Sequence, residues 1–124
     1  MAAVANAIEV GRYVLVVEDT ETIREAVIEV LRDEGIRAIG MRDGSDALTY
    51  LRSNVALPFA IVTDLMMPIV DGWELIERVK SDAAFEHIQV IAMTASPLGA
   101  APRDVPLLRK PFHVTQLLEL LACP

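Results

Sequence analysis

Short apolar runs alternate with stretches of helical periodicity along this chain of 124 residues. The first run, residues 13–17, is rich in β-branched side chains, which is typical of a strand buried on both faces of a sheet. Apolar residues then recur at helical spacing from Ile23 to Leu31, and Gly35 follows as a helix stop. Four further runs predict the remaining strands, at residues 36–41, 59–63, 88–93 and 107–108.

Three more helices are predicted in the intervals between and after these runs. Asp71 carries a carboxylate that suits a helix N-cap, and Trp73, Ile76 and Val79 follow it at a spacing that forms one apolar face. The three predicted helices occupy residues 46–51, 71–79 and 117–121.

This order of elements predicts a doubly wound α/β fold, because strands that alternate with helices form a parallel sheet with right-handed crossovers. We expect five strands in the flavodoxin-like order 2-1-3-4-5, with helices on both faces. The length is that of one domain, so we expect a single domain over residues 1–124, with a core at about 12–121 and an N-terminal extension at 1–11.

The composition is that of a folded, acidic protein. Hydrophobic residues make up 53% of the chain and charged residues 23%, which excludes a disordered chain. The formal net charge of −7 disfavours direct binding to nucleic acid or to an anionic membrane surface. No apolar run reaches the roughly 18 residues of a membrane helix and no secretory signal is recognisable, so we expect a cytoplasmic location. The lone Cys123 predicts neither a disulfide nor a metal cluster.

Candidate chemistry lies at the carboxyl ends of the apolar runs, where ligands bind in open parallel sheets. One polar residue after a strand is usually a cap or a turn residue, but a set at one edge predicts a site. If the first and third strands are neighbours, three carboxylates approach one another and favour Mg²⁺ over zinc, because no histidine or cysteine accompanies them. The polar residues at these ends are Glu18, Asp19, Asp64, Thr94 and Lys110.

These residue types together favour phosphoryl chemistry over acyl or hydride transfer. No glycine-rich phosphate loop is present, which disfavours a nucleotide site and leaves a carboxylate as the candidate phosphoryl acceptor. His87 and His113 are interpreted as surface or cap residues and not as ligands.

The motifs resemble those of one family, the receiver domain of bacterial two-component response regulators. The resemblance runs from about Tyr13 to Leu121. It rests on VVEDT at 16–20, DLMMPIVDGWEL at 64–75, AMTAS at 92–96 and KPF at 110–112.

The resemblance implies a role for each residue of the candidate site. Asp64 is then the phosphoacceptor, Thr94 the switch hydroxyl beside the small Ala95, and Lys110 the cation that pairs with the phosphoryl group. The bond between Lys110 and Pro111 resembles the cis peptide of the family. Mg²⁺ would be held by Glu18, Asp19, Asp64 and the backbone carbonyl of Met66.

The sequence departs from the family pattern in two places. Leu107 stands where an aromatic residue commonly rotates inward on phosphorylation. Residues 95–109 are also too few for a strand, its loops and an ordinary helix of about 11 residues. We therefore expect the family's fourth helix, between the fourth and fifth strands, to be shortened or absent.

The predicted function is a receiver domain that takes a phosphoryl group from a histidine kinase or phosphotransfer protein and then changes its affinity for a downstream protein. It is not expected to be a turnover enzyme. Leu107 leaves open an interaction module that works without phosphorylation. A magnesium-dependent phosphohydrolase of the haloacid dehalogenase type is disfavoured, because Met66 stands where that type has a second acid.

Overall fold

The computed structural model describes residues 12–53, 56–96 and 101–122. The predicted N-terminal extension and Cys123 lie outside the described residues. The strands are β1 (Val14–Val17), β2 (Ala38–Met41), β3 (Ala60–Asp64), β4 (Gln89–Thr94) and β5 (Leu107–Arg109). The helices are α1 (Glu21–Asp33), α2 (Gly44–Leu51), α3 (Gly72–Lys80) and α4 (Val114–Ala122), and a short 3₁₀ turn covers Ala83–Phe85.

The five strands form one parallel sheet in the order β2-β1-β3-β4-β5, which confirms the predicted fold class and strand order. In the register of β1 with β3, Val17 lies beside Thr63, so the carboxyl ends of the two strands meet at one edge. Asp64 lies beside Met93 in the register of β3 with β4, which brings Thr94 to the same edge.

Two hydrophobic layers cover the two faces of the sheet. The side chains of β1 are all buried and alternate between the layers, with Val14 and Val16 on one face and Leu15 and Val17 on the other. Helices α1 and α4 pack on the first face, and α2 and α3 pack on the second. This arrangement explains why β1 is a continuous apolar run in the sequence.

Of the apolar stripe expected from Ile23 to Leu31, helix α1 buries Leu31 and packs Val27 against the core, but it exposes Ile23. Ile23 is 36% exposed, whereas Ile28 and Leu31 are buried against the sheet. The periodicity predicts the helix correctly. Its apolar stripe is wide, however, so the pattern does not determine which apolar residues face the sheet.

Two smaller expectations about α2 and α3 are also corrected. Helix α2 begins at Gly44 and not at Asp46, because the Asp43 carboxylate caps it by accepting a hydrogen bond from the Asp46 amide at 2.8 Å. In α3, Leu75 is fully buried while Trp73 is 37% exposed. The predicted cap at Asp71 is confirmed.

The connection between β4 and β5 contains no helix within the residues described there, 95–96 and 101–106, in agreement with the expected loss. Val105 takes part in covering this face of the sheet, since it is buried in the same layer as Val79 and Phe85. Within the described ranges, no helix is long and apolar enough to cross a membrane.

Candidate functional site

Three carboxylates meet at the carboxyl end of the sheet. Glu18 and Asp19 follow β1 directly, and Asp64 is the last residue of β3. One carboxylate oxygen from each of the three lies within 4.8 Å of the others. Glu18 is fully buried and Asp64 is 7% exposed, whereas Asp19 is exposed. We call these three residues the acidic cluster.

Lys110, which follows β5, supplies a positive charge to this cluster. Its Nζ donates a short hydrogen bond to Oε1 of Glu18 and lies 3.7 Å from Oδ2 of Asp64. Lys110 thus pairs with Glu18 and lies beside Asp64, and its expected pairing with a phosphoryl oxygen stays a prediction. The peptide bond between Lys110 and Pro111 is cis, as expected.

The close carboxylates affect the protonation of Asp19. Partial desolvation raises the pKa of the Asp19 carboxyl, and both the hydrogen bond with Glu18 and the charge of Glu18 raise it further. A backbone hydrogen bond and the Lys110 charge oppose this rise in the pKa. The acidic cluster therefore carries repulsion that a bound cation would relieve.

Backbone contacts fix Asp64 from both sides. The Thr63 hydroxyl donates to the Asp64 carbonyl at 2.9 Å, and the Leu65 amide donates to the Met93 carbonyl at 3.0 Å. Gly72, the first residue of α3, passes so close that a Cβ there would lie 2.1 Å from the Asp64 carbonyl oxygen. Only glycine permits this approach.

Thr94 lies at the end of β4 and is 6% exposed. Its hydroxyl oxygen accepts a hydrogen bond from the Ser96 amide at 3.1 Å, and the Arg109 guanidinium donates to the Ser96 carbonyl at 2.9 Å. The Lys110 amide donates to the Thr94 carbonyl at 2.7 Å. The Thr94 hydroxyl is thus connected to β5 through the chain just after β4.

The loop after β3 displays apolar side chains beside the acidic cluster. Met66 is 70% exposed, and Ile69 is 81% exposed with a φ of 68°. The predicted role of the Met66 carbonyl as a metal ligand stays a prediction. Leu107 is half-buried against the layer that contains α2 and α3.

Sequence reasoning missed two residues that shape the site. One is Gly72, which stands in the motif at residues 64–75 and whose missing side chain permits the close approach of α3 to Asp64. Arg24 donates from Nη1 to the Glu18 carbonyl at 3.0 Å. Its position in the first turn of α1 could have revealed it, because helical side chains point back towards the N-terminus.

The acidic cluster fits a magnesium ion by its chemistry. All three side chains offer hard carboxylate oxygens, and the cluster contains no nitrogen or sulfur ligand that would favour zinc. Two of the carboxylates are buried, which makes their negative charge costly without a cation.

Comparison with known proteins agrees with this architecture. A family model described as the response regulator receiver domain matches residues 14–122. CpdR of Brucella abortus, named a response regulator receiver protein, is 32% identical over 113 residues, which cover 87% of this chain and 92% of CpdR. The response regulator Rre1 of a Synechocystis strain is 33% identical over 82 residues, which are 65% of this chain and 35% of Rre1.

The fold is also similar to solved structures. The chemotaxis response regulator CheY4 of Vibrio cholerae superposes with a TM-score of 0.76 at 28% sequence identity, covering 89% of this chain and 95% of CheY4. The likeness therefore extends over nearly the whole sheet and the helices on both faces.

Proposed function

Since the chain belongs to the response regulator receiver domain family of two-component signalling, we propose that Asp64 accepts a phosphoryl group from a histidine kinase or a phosphotransfer protein. The observation that carries this proposal is the meeting of the acidic cluster with Lys110 at the carboxyl end of the sheet. Phosphorylation then changes the affinity of the domain for a downstream protein. The net charge of −7 supports protein partners over nucleic acid.

Glu18, Asp19 and Asp64 would hold Mg²⁺, together with the backbone carbonyl of Met66. When bound, the ion supplies positive charge that offsets the charge of the incoming phosphoryl oxygens. The burial of Glu18 and Asp64 strengthens this electrostatic effect, because nearby solvent does not screen it. Partial desolvation and, after it, the hydrogen bond and charge of Glu18 raise the pKa of Asp19, and a bound cation would oppose this rise.

The phosphoryl transfer needs no redox step. A carboxylate oxygen of Asp64 attacks phosphorus, the bond between phosphorus and the donor histidine nitrogen breaks, and that nitrogen keeps the electron pair. Lys110 leaves its pairing with Glu18 and turns its ammonium to a phosphoryl oxygen, only a small movement from its present 3.7 Å to Asp64. The Thr94 hydroxyl donates a hydrogen bond to a second phosphoryl oxygen.

Water later attacks the phosphorus of the acyl phosphate, which restores the Asp64 carboxylate and releases phosphate. The domain thus promotes its own phosphorylation and slow dephosphorylation, and it is not a turnover enzyme. Leu107 cannot provide the inward-turning aromatic ring that the family commonly uses, so the change at Thr94 reaches the surface by another path.

Intact mass spectrometry after incubation with acetyl phosphate and Mg²⁺ tests this function. The wild type should gain one phosphate, and Asp64→Asn should gain none, because the amide has nearly the same shape but is not a nucleophile. Asp46→Asn is a matched control, since Asp46 makes an exposed ion pair with Arg42. If the mass of the wild type does not increase, the result would support the interaction module. Sustained release of phosphate would support the phosphohydrolase.

A further inference from the structure

Arg24 connects helix α1 to the acidic cluster. Its Nη1 donates a hydrogen bond to the backbone carbonyl of Glu18 at 3.0 Å, and its side chain is half-buried. We propose that Arg24 is a positioning residue for the cation site: it holds the Glu18 peptide so that the carboxylates of Glu18 and Asp19 face Asp64. This inference rests on the proposed function for the identity of the cation, Mg²⁺.

The Glu18 peptide needs such a partner because it lies at the point where β1 ends. The Glu18 amide still donates to the Met41 carbonyl at 3.0 Å, and one carboxylate oxygen of Glu18 accepts from the Thr20 amide at 3.1 Å. Glu18 itself is fully buried, so water cannot readily replace a lost partner of its carbonyl group. Arg24 provides that partner and thereby limits rotation of the peptide that leads into Asp19.

Gly40 makes room for this arrangement. A Cβ at Gly40 would lie 2.8 Å from Cδ1 of Ile28, 3.0 Å from Cδ of Arg24 and 3.2 Å from Cγ of Arg24. Glycine weakens a strand, and here it leaves space for the aliphatic part of Arg24 to cross β2. The Arg24 side chain therefore packs against β2 and contacts the acidic cluster at the Glu18 carbonyl.

Two possible roles of Arg24 predict opposite changes in Mg²⁺ affinity when its side chain is removed. If Arg24 acted only through its positive charge, its removal would strengthen Mg²⁺ binding, since one cation beside the site would be lost. If Arg24 positions the Glu18 peptide, its removal weakens binding, by about tenfold as for other residues that orient metal ligands. The sign of the change therefore separates the two roles.

Arg32 offers a matched control on the same helix. Its Nη2 donates to the carbonyl of Ala38 at 2.9 Å, so it makes the same kind of contact with a strand. Ala38 begins β2, at the end of the sheet opposite the acidic cluster. Arg24→Met and Arg32→Met remove the same charge and donors, but only the first touches the Glu18 peptide.

The experiment combines two measurements on the whole chain. Backbone amide chemical shifts of the metal-free protein report the local geometry, and Mg²⁺ titration by calorimetry reports the affinity. Arg24→Met should shift the amides of residues 18–20 and weaken Mg²⁺ by about tenfold. Arg32→Met should leave both unchanged, and Arg24→Lys, which keeps a donor of similar reach, should recover most of the affinity.

Gly40→Ala tests the position of the Arg24 side chain without changing the charge of the protein. Its Cβ should displace Arg24, shift the amides of residues 18–20 and weaken Mg²⁺, so it tests the inference even if Arg24→Met fails to fold. Unchanged amide shifts, or tighter Mg²⁺ binding by Arg24→Met, would overturn the positioning role. A wild type that binds no Mg²⁺ would instead refute the proposed function, and the metal-free amide shifts would still decide the role of Arg24.

Discussion

Two connections border the acidic cluster, and they are held in different ways. The connection from β3 to α3, residues 65–71, is tied by backbone hydrogen bonds, from the Leu65 amide to Met93 and from the Gly72 amide to Leu65, both at 3.0 Å. The connection from β4 to β5 includes a backbone bond from the Ala92 amide to the Pro106 carbonyl at 2.9 Å, but its residues 96, 103 and 104 are held by side chains. Arg109 donates to the Ser96 carbonyl at 2.9 Å, and Lys80 approaches the carbonyls of residues 103 and 104 at 3.4 Å.

The difference shows where the fold needs rigidity. The first connection follows Asp64 directly, and α3 begins at Gly72 in close contact with the Asp64 backbone, so a small shift there would move the proposed phosphoacceptor. Both connections contain a residue with a positive φ, Ile69 at 68° in the first and Asp104 at 59° in the second, and this conformation is less favourable for the β-branched Ile69 than for Asp104. Among the described residues of the second connection, Ser96 contacts the site through the Thr94 hydroxyl, and the acidic cluster forms although residues 95–96 and 101–106 contain no helix.

Among the substitutions that test this comparison, Gly72→Ala should have the largest effect on stability. A Cβ at 2.1 Å from the Asp64 carbonyl oxygen forces backbone to move, so we expect a loss of about 3 kcal/mol or more in the free energy of unfolding, with loss of Mg²⁺ binding. Urea denaturation measures the change. Gly35→Ala is the control, because Gly35 has a φ of 80° but open space around it, and it should cost about 1 kcal/mol. Equal losses for both would show that close packing at Gly72 is unimportant.

Val105→Ala should have the second largest effect, because Val105 is buried, at 8% exposure, in the described part of the second connection. Removing two buried methyl groups should lower the free energy of unfolding by about 2 kcal/mol. Phosphate uptake from acetyl phosphate should persist under conditions in which the variant is folded. If the folded variant no longer takes up phosphate, the second connection contributes to phosphorylation, and the difference between the two connections is not the one described here.

Asp19→Asn should change stability and metal binding in opposite directions. Removing one of three close carboxylates should stabilise the metal-free protein by less than about 1 kcal/mol, since Asp19 is exposed and solvent screens the repulsion. The same change should weaken Mg²⁺ binding. Thermal melts with and without Mg²⁺ measure both effects. A variant that melts like the wild type in both conditions would contradict the acidic cluster as a cation site.

Arg109→Gln should have the smallest effect on stability. Loss of an exposed hydrogen bond to the Ser96 carbonyl should cost below about 1 kcal/mol and leave Mg²⁺ affinity unchanged. Amide hydrogen exchange at Ser96 should accelerate, because the bond from the Ser96 amide to the Thr94 hydroxyl loses its support. Slower or equal exchange would show that Arg109 does not hold this connection.

Much of the architecture could be predicted from the sequence because its signals are local. An apolar run such as residues 13–17 identifies a buried strand by itself, and a carboxylate such as Asp71 identifies a helix start. The shortage of residues between Thr94 and Lys110 limited what could form there, so the absence of a helix from the described residues 95–96 and 101–106 was also predictable.

Other features depended on contacts between distant segments. Helical periodicity could not decide whether Ile23 or Ile28 faces the sheet, because both are apolar residues of α1 and the pattern alone does not fix the rotation of the helix about its axis. The pairing of Lys110 with Glu18, 92 residues apart in sequence, required the strand order to be in place. The reach of Arg24 to the Glu18 carbonyl and the closeness of Gly72 to Asp64 are set by packing of helices on the sheet. The sequence alone therefore determined the strands, helices and acidic residues, whose signals lie within a few positions, and the tertiary structure decided which of them touch.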